Sequence, residues 1–76
     1  MLKHRVSFEE ATTVFSDPRS LEASDLTHGD RVILVGMSGE QHVLFVVHAE
    51  RGERIRIISA RVASRAQRRR YEEAES

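Results

Sequence analysis

Apolar positions at the head of the chain recur with a helical period. Phe8, Ala11 and Phe15 fall on one helix face, with Thr12 beside them. Ser7-Phe8-Glu9-Glu10 marks the start as a capping box, in which the serine side chain accepts from an early amide and Glu10 reaches back to the serine amide. Asp17-Pro18 marks the end, because proline biases the residue before it away from helical dihedrals. A short strand is expected around Ser20–Ala23, followed by a polar loop from Ser24 to Asp30.

The middle of the chain changes period. Arg31–Gly36 is rich in Val and Ile and reads as a strand, and Met37-Ser38-Gly39-Glu40 reads as a hairpin connection. His42–His48 is apolar on both faces through its middle, as expected of a central strand. After a turn at Glu50-Arg51-Gly52-Glu53, Arg54–Ser59 alternates, with Ile55 and Ile57 on one face and Arg54 and Arg56 on the other. Ser64-Arg65-Ala66-Gln67 is a second capping box, opening a helix expected from Arg65 to about Glu75. Helix, strands, helix over residues 1–76 predicts one small α+β domain. Its sheet of three to four strands packs with an N-terminal helix and an Arg-rich C-terminal helix.

Composition narrows the classes. A chain of 76 residues buries only about 60% of its unfolded surface, so the core is thin. There is no Cys, which excludes disulfides and thiolate zinc sites. The apolar run Val43–Val47 is too short to span a bilayer, and no secretory signal pattern is present. A soluble cytoplasmic protein with no membrane partner is the expectation. Charge is neutral overall but unevenly spread. Residues 1–50 carry four Lys/Arg against eight Asp/Glu, residues 51–70 carry eight Arg against one Glu, and residues 71–76 add three Glu. The basic block creates a local field that attracts polyanions. In the last helix arginines come first and glutamates last, against the preference of the helix dipole, which points to a use beyond helix stability.

Catalytic chemistry is sparse. No His–x–x–x–His pattern occurs, and His48-Ala49-Glu50 lacks the paired cysteines of a zinc deaminase, so no metal site and no cofactor are expected. RNA cleavage needs little more than the chain offers, because the 2′-hydroxyl is the nucleophile. The protein aligns the phosphate, stabilises its charge and helps move protons. Arg56 points away from Ile55 and Ile57, beside His48 of the neighbouring strand, and is either a phosphate ligand or an ordinary exposed residue. Arg61, read in the loop entering the last helix, and Arg65 at that helix's start are either phosphate contacts or surface ion pairs. His48 is either a proton-transfer group or a packed strand-end residue, and Glu50 either assists it or is a solvated turn carboxylate. Lys3 and His4 precede the first helix and either approach a substrate or fray. Tyr71 is either a core anchor or a base-stacking residue. Arg68, Arg69 and Arg70 form a solvated face or a partner surface.

These residues resemble the BrnT family of toxins. The string Lys3 to Ala11 is similar to Lys-His-Gly-Val-Ser-Phe-Glu-Glu-Ala, and Val14-Phe15-Ser16-Asp17-Pro18 to Val-Phe-x-Asp-Pro. Arg31 to Ser38 is similar to Arg-x-x-x-x-Gly-x-Ser, and Glu50-Arg51-Gly52, Ile55 to Arg61 and Arg68-Arg69-x-Tyr71-Glu72 complete the order. Arg5 stands where the family has Gly, Val62 where a basic residue is common, and a family strand containing Trp-Asp would precede Lys3. The resemblance implies a RelE-like fold, with an antiparallel sheet packed against helices. It also implies metal-independent endoribonuclease activity, inhibition of translation and neutralisation by a BrnA-type antitoxin, through which alone operator DNA is met. On that reading Arg56, Arg61, His48 and Glu50 are the candidate catalytic residues. Lys3, His4, Arg51 and Arg65 are candidate RNA contacts, and Arg68 and Arg69 candidate antitoxin contacts. The alternative expectation is a catalytically inert antitoxin-binding or nucleic-acid-binding module of the same fold.

Overall fold

In the computed structural model, which describes residues 6–24 and 29–74, a capped helix leads into a four-stranded antiparallel sheet and a second helix closes the chain. Helix α1 spans Phe8–Thr13 and tightens into a 3₁₀ turn at Val14–Ser16. Strands β1 (Leu21–Ser24), β2 (Arg31–Met37), β3 (Val43–Arg51) and β4 (Arg54–Val62) lie in that order across the sheet, and α2 covers Arg65–Ala74. The α+β arrangement is the one the hydrophobic pattern predicts. No helix among the described residues is long and apolar enough to cross a membrane.

The two capping boxes differ. At α2 the box is reciprocal: the Gln67 amide donates to Ser64 Oγ at 3.2 Å and the Ser64 amide to Gln67 Oε1 at 2.8 Å. At α1 only half forms, with the Glu10 amide donating to Ser7 Oγ at 3.0 Å. The Glu10 carboxylate turns inward instead and takes hydrogen bonds from Ser38 Oγ at 2.6 Å and His42 Nδ1 at 2.7 Å. Those donors sit in the β2–β3 connection, so the diverted side chain ties α1 to that loop. Thr13 Oγ1 adds a second tie, accepting from the Gly39 amide at 2.7 Å.

Strand alternation divides the sheet into two faces. Register pairs Leu34 with Val46, Gly36 with Leu44 and Val32 with His48, so these even-numbered residues of β2 and β3 share one face. The core lies there: Ala11, Val14, Leu34, Leu44 and Val46 are buried together, with Val6, Ile57 and Ala60 packed against them. The expected stripe of Phe8, Ala11 and Phe15 is corrected. Ala11 and Val14 face the core, Phe8 is 65% exposed and Phe15 sits at the rim. The 3₁₀ turn, with three residues per turn, places Val14 directly behind Ala11 and rotates Phe15 outward.

Gly36 makes the close packing possible. A Cβ there would lie 2.9 Å from both Val14 Cγ1 and Ser20 Cβ. Its absence lets Asp17 approach the end of β2, where Asp17 Oδ2 accepts from the Met37 amide at 2.8 Å and the Tyr71 hydroxyl at 2.6 Å. Tyr71 is 2% exposed and is thus the core anchor of α2, not a base-stacking residue.

Candidate nucleic-acid interface

The opposite face of the sheet carries the arginines, and a register slip arranges them. Val47 pairs with Ser59 but His48 pairs with Ile57, so Ile58 has no partner opposite and the pair of strands is bulged there. Arg56 therefore stands opposite Ala49 and Arg61 opposite Phe45. Ala49 and Phe45 are four residues apart on one strand and share a face, so Arg56 and Arg61 share it too. Simple alternation would have put two residues of odd separation on opposite faces.

Arg31 of β2 also stands opposite Ala49, which places Arg31, Ala49 and Arg56 in a row across three adjacent strands. Two strand spacings separate the arginine backbones, roughly 10 Å. Arg54, two residues from Arg56, lines the same cleft, together with Asp30, Ile57 and Ile58, and the whole encloses about 570 Å³. Ala49 gives this cleft a shallow floor, so three guanidinium groups border an open space. A guanidinium binds phosphate through paired N–H donors in a planar fork, and several around one recess suit a polyanion backbone.

Further along the same face, Arg61 belongs to β4 and not to the loop before α2. The correction has a clear cause. Pairing with β3 continues through Leu44–Val62, and the Ala63 amide still donates to Val43 O at 2.9 Å. The Arg61 guanidinium lies 4.3 Å from the Phe45 ring centroid and donates to Val62 O at 3.2 Å and Gln67 Oε1 at 3.4 Å. These contacts hold an exposed cation in one place beside the capped start of α2, where Arg65 is the first residue.

His48 and Glu50 sit elsewhere. Both are even-numbered residues of β3 and point to the core face, so His48 is not beside Arg56, whose partner is Ala49. His48 is 1% exposed, with its ring edge-on to Phe15 at 4.9 Å between centroids and Nδ1 3.8 Å from Glu50 Oε2. The candidate catalytic set is thus divided: the structure brings Arg56 and Arg61 together on one face and puts His48 and Glu50 on the other. Arg68 pairs with Glu72 at 3.4 Å on the exposed side of α2, and Arg69 is exposed. Lys3 and His4 lie outside the described residues, as does the side chain of Arg51.

Two carboxylates that the sequence marked only as helix punctuation are held below their ordinary range. The hydrogen bond from Ser38, then that from His42, holds Glu10 below the ordinary glutamate range in spite of partial burial. Burial pushes Asp17 up, but the Met37 amide, the Tyr71 hydroxyl and the Arg19 amide together outweigh it and leave its carboxyl below the usual range. Arg31 and Arg54 were also missed as site residues. The alternation of β4 already put Arg54 with Arg56, whereas Arg31 joins them only through the β2–β3 register.

A four-stranded antiparallel sheet with α1 on one face, and on the other an arginine-bordered cleft at one end and α2 beside Ile33 and Val35 at the other, defines a small α+β protein. The chain belongs to the BrnT family: residues 1–67 match the family model described as the ribonuclease toxin, BrnT, of a type II toxin–antitoxin system. Comparison with curated proteins gave no match. Membership makes the protein a ribonuclease toxin, with RNA as substrate and a cognate antitoxin as partner.

Proposed function

We propose that this toxin is a metal-independent endoribonuclease whose arginine face holds the RNA backbone, and that it inhibits translation in the bacterial cytoplasm until a BrnA-type antitoxin neutralises it. The observation that carries the reading is the row Arg31, Ala49, Arg56, with Arg54 beside it. In the reaction the RNA 2′-oxygen attacks the adjacent phosphorus, the 2′-proton passes to a base, and the 5′-oxygen leaves and takes up a proton. Negative charge grows on the non-bridging oxygens along the way. Guanidinium groups fixed where that charge develops stabilise it without reorganising, which is the kind of contribution that needs no metal. Arg56 and Arg54 take this role, and Arg31 holds the same phosphate from the other side. Arg61, braced on Phe45, engages a neighbouring phosphate along the strand. Asp30 is the one side chain lining the cleft, among the described residues, with the chemistry to accept the 2′-proton.

The test is cleavage of a labelled RNA by the purified protein in excess EDTA, with and without a co-purified BrnA-type antitoxin. The reading expects cleavage that survives the chelator and stops when the antitoxin is added. Loss of all cleavage in EDTA, restored by a divalent cation, would overturn metal independence.

A further inference from the structure

Among the described residues, His48 is a buried titratable side chain that the arginine face leaves unused. Neither of its ring nitrogens has a hydrogen-bond partner among the described residues, although the side chain is almost fully enclosed. A buried imidazole gives up its hydrogen bonds to water and gains none in return, so such an orphan calls for an explanation. Its surroundings supply one. Glu50, two residues on, and Glu22, from the edge strand β1, each bring a carboxylate oxygen to the same place. The three donor atoms all lie within 4.8 Å of one another. Glu22, Glu50 and Val32 also line a small recess of about 150 Å³ on that side of the sheet.

We infer that Glu22, His48 and Glu50 form a binding site for a first-row divalent transition metal of the zinc type. One imidazole nitrogen and two carboxylate oxygens make a mixed donor set that favours zinc over magnesium or calcium, which prefer oxygen alone. Zinc holds such ligands at about 2.0–2.2 Å, so donors around one ion sit about 3.4 Å apart in a tetrahedron. His48 Nδ1 and Glu50 Oε2 are already 3.8 Å apart. Glu22 and Glu50 are exposed and have room to close the remaining gap, with water as the fourth ligand. Sequence spacing conceals the site because Glu22 comes from a different strand.

The site lies on the face opposite the arginine cleft, so the ion takes no part in phosphate chemistry. Its effect is mechanical. Strand β1 is a short edge strand hydrogen-bonded only to β2, and an ion shared by Glu22 and His48 fastens it across β2 to β3. Metal occupancy thereby sets how firmly the sheet edge is held.

The experiment uses chelator-stripped protein titrated with zinc, read by thermal unfolding, and with cobalt, read by the visible absorption of a four-coordinate ion. One ion per chain is expected, with Tm raised by at least about 5 °C at a hundredfold excess over Kd. Glu22→Gln and Glu50→Gln, both at exposed positions, should each keep the far-ultraviolet circular dichroism of the parent and lose the zinc-dependent rise. The RNA cleavage rate should be the same with and without zinc. Absence of any rise in the parent overturns the site, as does a rise that survives both substitutions. A rise abolished by Glu40→Gln instead would overturn it as well, by assigning the ion to the cluster of Glu10, Glu40 and His42 at the β2–β3 connection.

Discussion

The two faces of this sheet are built from the same strands, yet they follow opposite rules. On the core face Leu34, Leu44 and Val46 meet Ala11 and Val14, and a missing Cβ at Gly36 lets the chain close to van der Waals contact. On the other face Arg31, Arg54 and Arg56 surround Ala49 and leave a cleft open to solvent. The first face is enclosed by α1, whereas the second divides between half-buried Ile33 and Val35, which border a recess with Gln67 and Arg70 of α2, and the arginine cleft. In so small a domain the division teaches that the same strands can pack a core on one side and border an open cleft on the other, with the bulge at Ile58 setting which arginines share the cleft's face.

That separation breaks most visibly where the core is deepest. Leu44→Ala, at a side chain fully enclosed in the core, is expected to cost about 2–5 kcal/mol. Small domains have little stability to spare, so a large drop in Tm should follow. Cleavage per folded molecule should be unchanged, as measured by activity normalised to the folded fraction from circular dichroism.

Acid sharpens the comparison next, because the carboxylates that lock the core face are not those of the cleft. Glu10 and Asp17 both titrate below their ordinary range when folded. Their stabilisation is therefore complete above about pH 5 and fades as the pH falls below about 4, through the depressed folded-state values. Tm measured from about pH 6 to about pH 3 should drop, and Asp17→Asn should flatten part of that slope. At neutral pH the same substitution should cost about 1–3 kcal/mol, by weakening the bonds from the Met37 amide and the Tyr71 hydroxyl.

Smaller effects lie at α2. Ser64→Ala removes a reciprocal cap and should cost about 1 kcal/mol by chemical denaturation. Arg68→Ala should change stability by no more than about 0.5 kcal/mol, because both partners of its ion pair with Glu72 are largely exposed. If Arg68 and Arg69 contact the antitoxin, reversing both to Glu should slow association at low salt while leaving Tm almost unmoved.

Much of this architecture was legible in the sequence, and the failures have physical causes. Caps, proline and period located both helices and every strand, because those signals act within a few residues. The Ser64–Gln67 box formed as written. The Ser7–Glu10 box did not, because Ser38 and His42 are better partners for Glu10 than its own helix terminus, and they arrive only with the tertiary fold. Site residues were harder. The pairing of Arg56 with Ala49 depends on the bulge at Ile58, and parity counted along the sequence alone assigns the wrong neighbours. Arg61 reads as loop because the strand signal fades after Ser59, whereas its pairing with β3 is a property of the register.

The central claim is that the arginine face holds the scissile phosphate while contributing little to the fold. Arg56→Ala tests it most directly, with RNA cleavage and thermal unfolding measured on the same preparation. The account predicts a loss of at least about tenfold in cleavage rate, equivalent to ~1.4 kcal/mol of transition-state stabilisation. Tm should shift by no more than a few degrees, since an exposed arginine away from the core changes stability by about 0.5 kcal/mol at most. Undiminished cleavage by a correctly folded Arg56→Ala protein would contradict the account and move the active surface off this face.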